Sequence, residues 1–340
     1  MKIVKVILIL IVVIIAGCRK KIEVKYPNGQ LKERYYAYKG QDKTFIKNGE
    51  YFSWPKNGQK WEEGIYKDGN KEGKWMAWHE NGQQWEEATY VNGKEDGKFV
   101  KWYDNGQKEM EVVYKDLEID GKWMRWYDDG QKWEEGAYIS GKKDGEWEKW
   151  YDNGQKEYEG SFKDGEKEGK WKEWSDNGQK DKEGTFKDGK REGRWITYWY
   201  GKGQKEIECD YKNGIKDGIE IRWWWNGEKW EESTYLNGKK DGKYAKWYDN
   251  GQIEMEGSFK DDKKDGQWTT YIFENGKKWE EGEYKEGAKE GKWTKRFNNG
   301  RKETEGTYRS GQKDGIWKEW NEKGRKISES LYKDGEVVNN

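Results

Sequence analysis

The sequence predicts an all-β protein, an elongated solenoid or ribbon of about twelve antiparallel β-hairpins of 24 residues each. Three observations carry that prediction. A turn glycine recurs at Gly58, Gly82, Gly106, Gly130, Gly154, Gly178, Gly203, Gly227, Gly251, Gly276, Gly300 and Gly324, at intervals of 24 or 25 residues. A fixed period of that length marks stacked repeats. Each glycine closes an Asn-Gly, Asp-Gly or related turn between two short aromatic-rich runs, which reads as a hairpin. Beyond residue 18 there are only four leucines, against 25 tryptophans, 23 tyrosines and 8 phenylalanines. Rings, each burying a large area, must therefore replace an aliphatic core.

Gly121–Tyr138 shows the unit in full. Seven residues before the turn glycine stands an aromatic, as at Trp75, Trp123, Trp147 and Trp171; in the 25-residue copies the slot slips by one, to Trp195 and Trp268, and only Glu220 breaks the column. Four residues before it, ten of twelve copies place tryptophan. Six residues after it comes a small or short side chain such as Gly136 or Cys209, and eight after it an aromatic. With a two-residue loop, Trp123 lies opposite Gly136 and Tyr138 opposite Gly121, all on one side because strand side chains alternate. Each ring then covers a bare strand glycine. Tyr127 extends this packed face, while the other face carries Trp126 opposite Trp133, with Glu135 nearby.

Taken in order, residues 1–17 differ from the rest. Lys2 and Lys5 precede the apolar run Val6–Ile15 and small residues, as in a secretory signal peptide. Ile15-Ala16-Gly17-Cys18 resembles a bacterial lipobox, and that resemblance implies cleavage before Cys18 and its diacylation. Twelve apolar residues before Cys18 fall short of the ~20 that a membrane span needs. Residues 18–21 are then a lipidated tether, 22–48 an irregular capping repeat around Asn28-Gly29, 49–335 the twelve-copy array, and 336–340 a tail. The single-residue insertions near Gly201 and Ile272 are expected to form local bulges. The expected location is a cell membrane or outer membrane, after export from the cytoplasm.

Chemistry is sparse. Lys+Arg and Asp+Glu balance at 67 each, an interspersed charge that leaves no footprint for nucleic acid. One histidine, His79, stands in the slot of Tyr103 and Tyr127, and Cys209 stands in a glycine slot. These cannot build a His/Cys metal site or a Ser-His-Asp set. Neither an enzyme, a metal nor a cofactor is expected. Glutamate falls five residues after the turn glycine in all twelve copies. In the expected register it lies diagonally across from Lys74, Lys98, Lys122, Lys170, Lys243 or Lys292, forming cross-strand ion pairs. The sharper alternative is a Trp/Glu ladder that holds cationic groups. The candidate binding surface is accordingly Trp78, Trp102, Trp126, Trp150, Trp174, Trp223, Trp247 and Trp320, with Glu87, Glu111, Glu135 and Glu159.

The pattern G-K-W-x-x-W-Y-x-N-G-Q-K-x-x-E-G-x-Y-x-x-G resembles the MORN-repeat variant of YwqK-like antitoxin-component proteins, over about residues 49–335. The resemblance implies a β-hairpin array that binds or scaffolds partners, with an antitoxin or immunity-like role against a toxin in some relatives. It transfers no catalytic residue. The sequence alone also admits binding of cell-wall glycan through the repeated tryptophans.

Overall fold

The computed structural model describes residues 19–338 and divides the chain into two compact units, residues 1–144 and 145–340. The expected signal peptide at 1–17, the expected lipid attachment at Cys18 and residues 339–340 of the tail lie outside the described residues. Every described element is a β-strand. In the first unit, strands from Lys20–Lys25 to Lys142–Lys143 each pair antiparallel with the next in sequence. In the second, the same holds from Gly145–Trp150 to Glu336–Val337, except that Ile253–Lys260 pairs with both Lys263–Lys264 and Gly266–Tyr271. Sequence neighbours are thus space neighbours, as expected of hairpin repeats.

Two kinds of turn alternate. At the turn glycine the loop has three residues, not two. The Tyr127 N–H donates to the Gln131 carbonyl at 2.8 Å and the Gly130 N–H to the Tyr127 carbonyl at 3.0 Å. Gly130 has φ 89°, the left-handed value glycine adopts without strain. The extra loop residue places Lys132 opposite Trp126, and a bulge between Lys132 and Glu134 then takes the offset back. Beyond that bulge the register is the expected one, with Gly136 opposite Trp123 and Tyr138 opposite Gly121. Trp126 does not face Trp133. The bulge turns Trp133 to the other side, 5.8 Å from the Tyr127 ring and 3.8 Å beneath the Arg125 guanidinium.

The second turn, which joins one hairpin to the next, is the two-residue kind. Asp164 and Gly165 have φ of 52° and 90°, and Asn237 and Gly238 of 50° and 86°. Both positions are left-handed, which matches the twist of the flanking strands. In the longer repeats the extra residue enlarges the first turn and makes no bulge of its own. Trp199 N–H donates to the Gln204 carbonyl and Ile272 N–H to the Lys277 carbonyl, each at 2.8 Å across a four-residue loop. A loop tip absorbs an insertion without disturbing the ladder.

The packed face is the expected one, with a difference in which ring covers which glycine. Trp147 is paired by register with Gly160, yet the indole lying on Gly160 is Trp171, from the following repeat. A Cβ built on Gly160 would sit 2.4 Å from Trp171 ring carbons. Gly64 under Trp75, Gly184 under Trp195, Gly257 under Trp268, Gly282 under Trp293 and Gly306 under Trp317 repeat the arrangement at 2.2–2.3 Å. The cause is the register shift between Glu159 and Ser161, which slides Trp171 over the vacant Gly160 position. Each indole Nε1 also donates to a carbonyl of the preceding repeat: Trp75 to Ile65, Trp171 to Ser161 and Trp317 to Thr307, all at 3.1 Å. The ring is thereby buried with its one polar atom satisfied.

At the ends, the first strand begins at Lys20, inside the segment expected as a tether, and Tyr26–Gln30 form the same loop as Tyr127–Gln131. Part of the expected tail forms a strand, since Val337 pairs with Tyr332.

Candidate binding face

In each unit, the face opposite the stacked indoles carries the expected columns. Trp78, Trp102, Trp126, Trp150, Trp174, Trp223, Trp247 and Trp320 are all half-buried there. The glutamates Glu87, Glu111, Glu135 and Glu159 also lie half-buried on it. The lysine two residues after the turn glycine is the member that sequence reasoning missed. Lys108 Nζ lies 2.6 Å from Glu111, Lys132 2.7 Å from Glu135 and Lys156 2.8 Å from Glu159. Along a regular strand, residues three apart point to opposite faces; the bulge between them restores both to one face. A lysine at this position in ten of twelve copies is the signal that was available.

The same ammonium reaches forward to the next repeat's ring. Lys60 stands 4.8 Å from the Trp78 ring, Lys108 5.5 Å from Trp126, Lys156 5.8 Å from Trp174 and Lys229 5.5 Å from Trp247. The Trp/Glu ladder therefore does hold cations, and those cations belong to this chain. The expected diagonal pairs form for Lys74 with Glu87 at 2.9 Å, Lys98 with Glu111 at 3.1 Å and Lys292 with Glu305 at 3.2 Å. The pairs expected of Lys122 with Glu135, Lys170 with Glu183 and Lys243 with Glu256 do not form among the described residues, and Glu159, which has Glu146 at the matching position, takes Lys172 of the following repeat at 2.8 Å. Burial alone would raise the Glu159 carboxyl, but hydrogen bonds from Lys156 and Lys172 hold it below its ordinary value. Lys108 does the same for Glu111. Each such exposed pair is worth about 0.2–1 kcal/mol, so the column contributes through number.

A second cation column covers the buried rings. Lys167 lies 3.8 Å from Trp171, Lys289 3.8 Å from Trp293 and Lys264 4.2 Å from Trp268. The turns are laced together as well. Asn105 accepts from Gln107 N–H at 2.9 Å through Oδ1 and donates through Nδ2 to the next turn, at Asp128 O. Asn81 and Asn153 repeat the bond at 2.6 Å.

The single histidine is accounted for structurally. His79 Nε2 lies 3.0 Å from the Trp102 carbonyl, where Tyr103 donates to Trp126 O at 2.8 Å. Cys209 is 2% exposed, and burial together with the Glu220 charge pushes its thiol up to about 12, far from a reactive thiolate. Glu220, also 2% exposed, is held by Lys216 and Arg222. Burial alone would raise its carboxyl, and these two cations bring it below the ordinary value instead. Among the described residues, no group of three or more His, Cys, Asp and Glu is arranged to hold a metal.

Six segments, residues 71–92, 95–116, 143–164, 167–188, 240–261 and 313–334, match the family described as MORN repeat variant. They coincide with the hairpins above. Six of the chain's hairpins are thus similar to the MORN repeat variant. No curated protein matches it. Among solved structures, a chain in the crystal structure of TcdB2-TccC3-Cdc42 is similar at 10% identity, over 92% of this chain and 19% of that one, with a TM-score of 0.18. A chain in the crystal structure of TcdB2-TccC3 is similar at 8% identity, over 92% and 18%, with a TM-score of 0.11. The chain spans about a fifth of the length of those solved chains, and scores this low carry neither fold nor function across.

Proposed function

We propose that this MORN-variant protein is a non-enzymatic, exported lipoprotein, anchored at a membrane through Cys18, whose repeats bind or scaffold a partner protein. A toxin-neutralising, immunity-like role is the finer form of that reading. The supporting observation is the column in which Glu recurs in every hairpin of the array and Lys and Trp in ten of twelve. With two strands per repeat, equivalent groups stand about 10 Å apart, a spacing that suits many weak contacts made together. The internal pairing of charge leaves shape and hydrogen bonding to set specificity, and excludes strong long-range steering.

Affinity capture from detergent extract tests the reading. A defined protein should be retained by the wild-type chain and lost when Glu111, Glu135 and Glu159 are changed to Gln together; equal retention by both would overturn it. Cys18→Ala should move the protein from the membrane to the soluble fraction, and an unchanged distribution would remove the anchor. The second reading, binding of cell-wall glycan, draws on the same half-buried tryptophans. Lysine already lies over Trp126 and Trp174, so a sugar would have to stack on the remaining face. Changing Trp126, Trp150 and Trp174 to Ala should abolish retention on purified wall if that reading holds, and leave it unchanged if not.

A further inference from the structure

Two copies of the Lys–Glu ladder have lost their lysine, and one of them has found no other cation among the described residues. Ten of twelve copies carry lysine two residues after the turn glycine; the other two carry Gln84 and Ile253. Beside Gln84, Glu87 takes Lys74 at 2.9 Å. Beside Ile253, Glu256 makes no ion pair with any described residue, and its partner is the Tyr271 hydroxyl, which donates to Oε1 at 2.6 Å.

The copy at Glu183 supplies an internal control. There Tyr198 donates to Oε1 at 2.5 Å, Lys180 Nζ donates to Oε2 at 2.9 Å, and the same ammonium stands 5.9 Å from the Tyr198 ring. The Glu256 copy keeps the carboxylate, the tyrosine and their hydrogen bond, and replaces the ammonium by the Ile253 side chain. Next to it opens a groove of about 730 Å³, lined by Glu232, Lys243, Trp247, Glu256, Ser258 and Thr269. Lys243 holds the position from which Lys74, Lys98 and Lys292 reach their glutamates, yet it is exposed and makes no ion pair with a described residue.

We propose that Glu256 and Tyr271 form a docking site for the ammonium of a lysine side chain on a partner protein, which enters along this groove. This rests on the partner-binding reading and names one of its contacts. The charge complementarity is that of the filled copies: a carboxylate oxygen to accept from the ammonium and a ring to attract it. A primary ammonium fits because the filled copies hold one by hydrogen bonds; a quaternary ammonium has no donor to offer Oε2.

The test titrates the full chain with the peptide acetyl-Gly-Lys-Gly-amide into the millimolar range. Acetyl-Gly-norleucine-Gly-amide, which lacks the ammonium, is the control, and backbone and indole N–H NMR shifts are the readout. The lysine peptide should give saturable shifts at Glu256, Tyr271 and Trp247, and the norleucine peptide should bind at least about tenfold more weakly, equivalent to 1.4 kcal/mol. Ile253→Lys supplies the missing ammonium from within, so it should abolish those shifts while the melting temperature stays level or rises. Glu256→Gln should weaken binding without filling the site, and remains decisive if the first variant folds poorly. Equal binding by both peptides, or undiminished binding by Glu256→Gln, would overturn the proposal. If the lysine peptide binds but no partner protein is ever retained, the functional reading fails and the site stands. If a partner is retained equally by Ile253→Lys, the site fails and the functional reading stands.

Discussion

The repeat around Gly160 and the repeat around Cys209 fill the same slot with opposite materials. At Gly160 the backbone is bare, and Trp171 lies on it, 2% exposed, with Phe162 edge-on at 5.2 Å and Lys167 above the ring. At Cys209 a side chain already occupies that space, and eleven residues on there is no ring but Glu220, clasped by Lys216 and Arg222. The other copies follow the same volume rule. Every glycine in this slot that has a repeat after it, from Gly64 to Gly306, is followed eleven residues later by tryptophan. Ala88 is followed by the smaller Phe99 and Ser233 by Tyr244. Val112 keeps a tryptophan, and there the rule bends visibly. Trp123 is only half-buried, and its Nε1 turns to the Glu134 carboxylate at 3.2 Å. The comparison shows a close-packed joint between consecutive repeats whose combined volume is constrained, as in any protein interior.

Breaking the regular joint should have the largest effect. Trp171→Ala removes a buried indole and should cost about 3–5 kcal/mol in urea unfolding. Overfilling the irregular joint comes next. Glu220→Trp alone forces an indole against the Cys209 side chain and should cost about 1–3 kcal/mol. Adding Cys209→Gly should restore most of that loss by recreating the regular pair, whereas a double variant no more stable than Glu220→Trp would refute the volume rule. Asn105→Asp keeps the acceptor for Gln107 and loses the donor to the next turn, for an expected loss of about 0.5–1.5 kcal/mol.

The smallest effect at neutral pH appears only in alkali. Burial pushes Tyr51 and Tyr244 up to about 12, and burial with the Glu256 hydrogen bond does the same for Tyr271. Unfolded tyrosines ionise near pH 10, so above that the unfolded chain binds fewer protons than the folded one. Stability should therefore hold up to about pH 10 and fall as pH rises through about 12. Tyrosine absorbance and circular dichroism should change together over that range; free titration of these tyrosines near pH 10 in a folded chain would contradict their burial.

Much of the fold was legible because a period of 24 residues repeats every signal. The Trp123–Gly136 and Tyr138–Gly121 pairings were read correctly despite the wrong loop length, because the unforeseen loop residue and the unforeseen bulge at Trp133 cancel. Residues between the two errors, Trp126 and Trp133, were misplaced. Which ring lies on Gly160 was not legible from hairpin pairing, since that ring comes from the following strand across a register shift. The covariation of glycine with tryptophan eleven residues later would have revealed it. The lysine beside each glutamate was missed because strict alternation puts residues three apart on opposite faces, and only the bulge reunites them.

The most direct test is a double-mutant cycle between Gly160→Ala and Trp171→Phe, read by urea unfolding. If Trp171 lies on Gly160, the alanine should be far more costly beneath tryptophan than in the Trp171→Phe background, with a coupling above about 1 kcal/mol. Additive losses, within about 0.5 kcal/mol, would mean that the ring and the glycine do not touch.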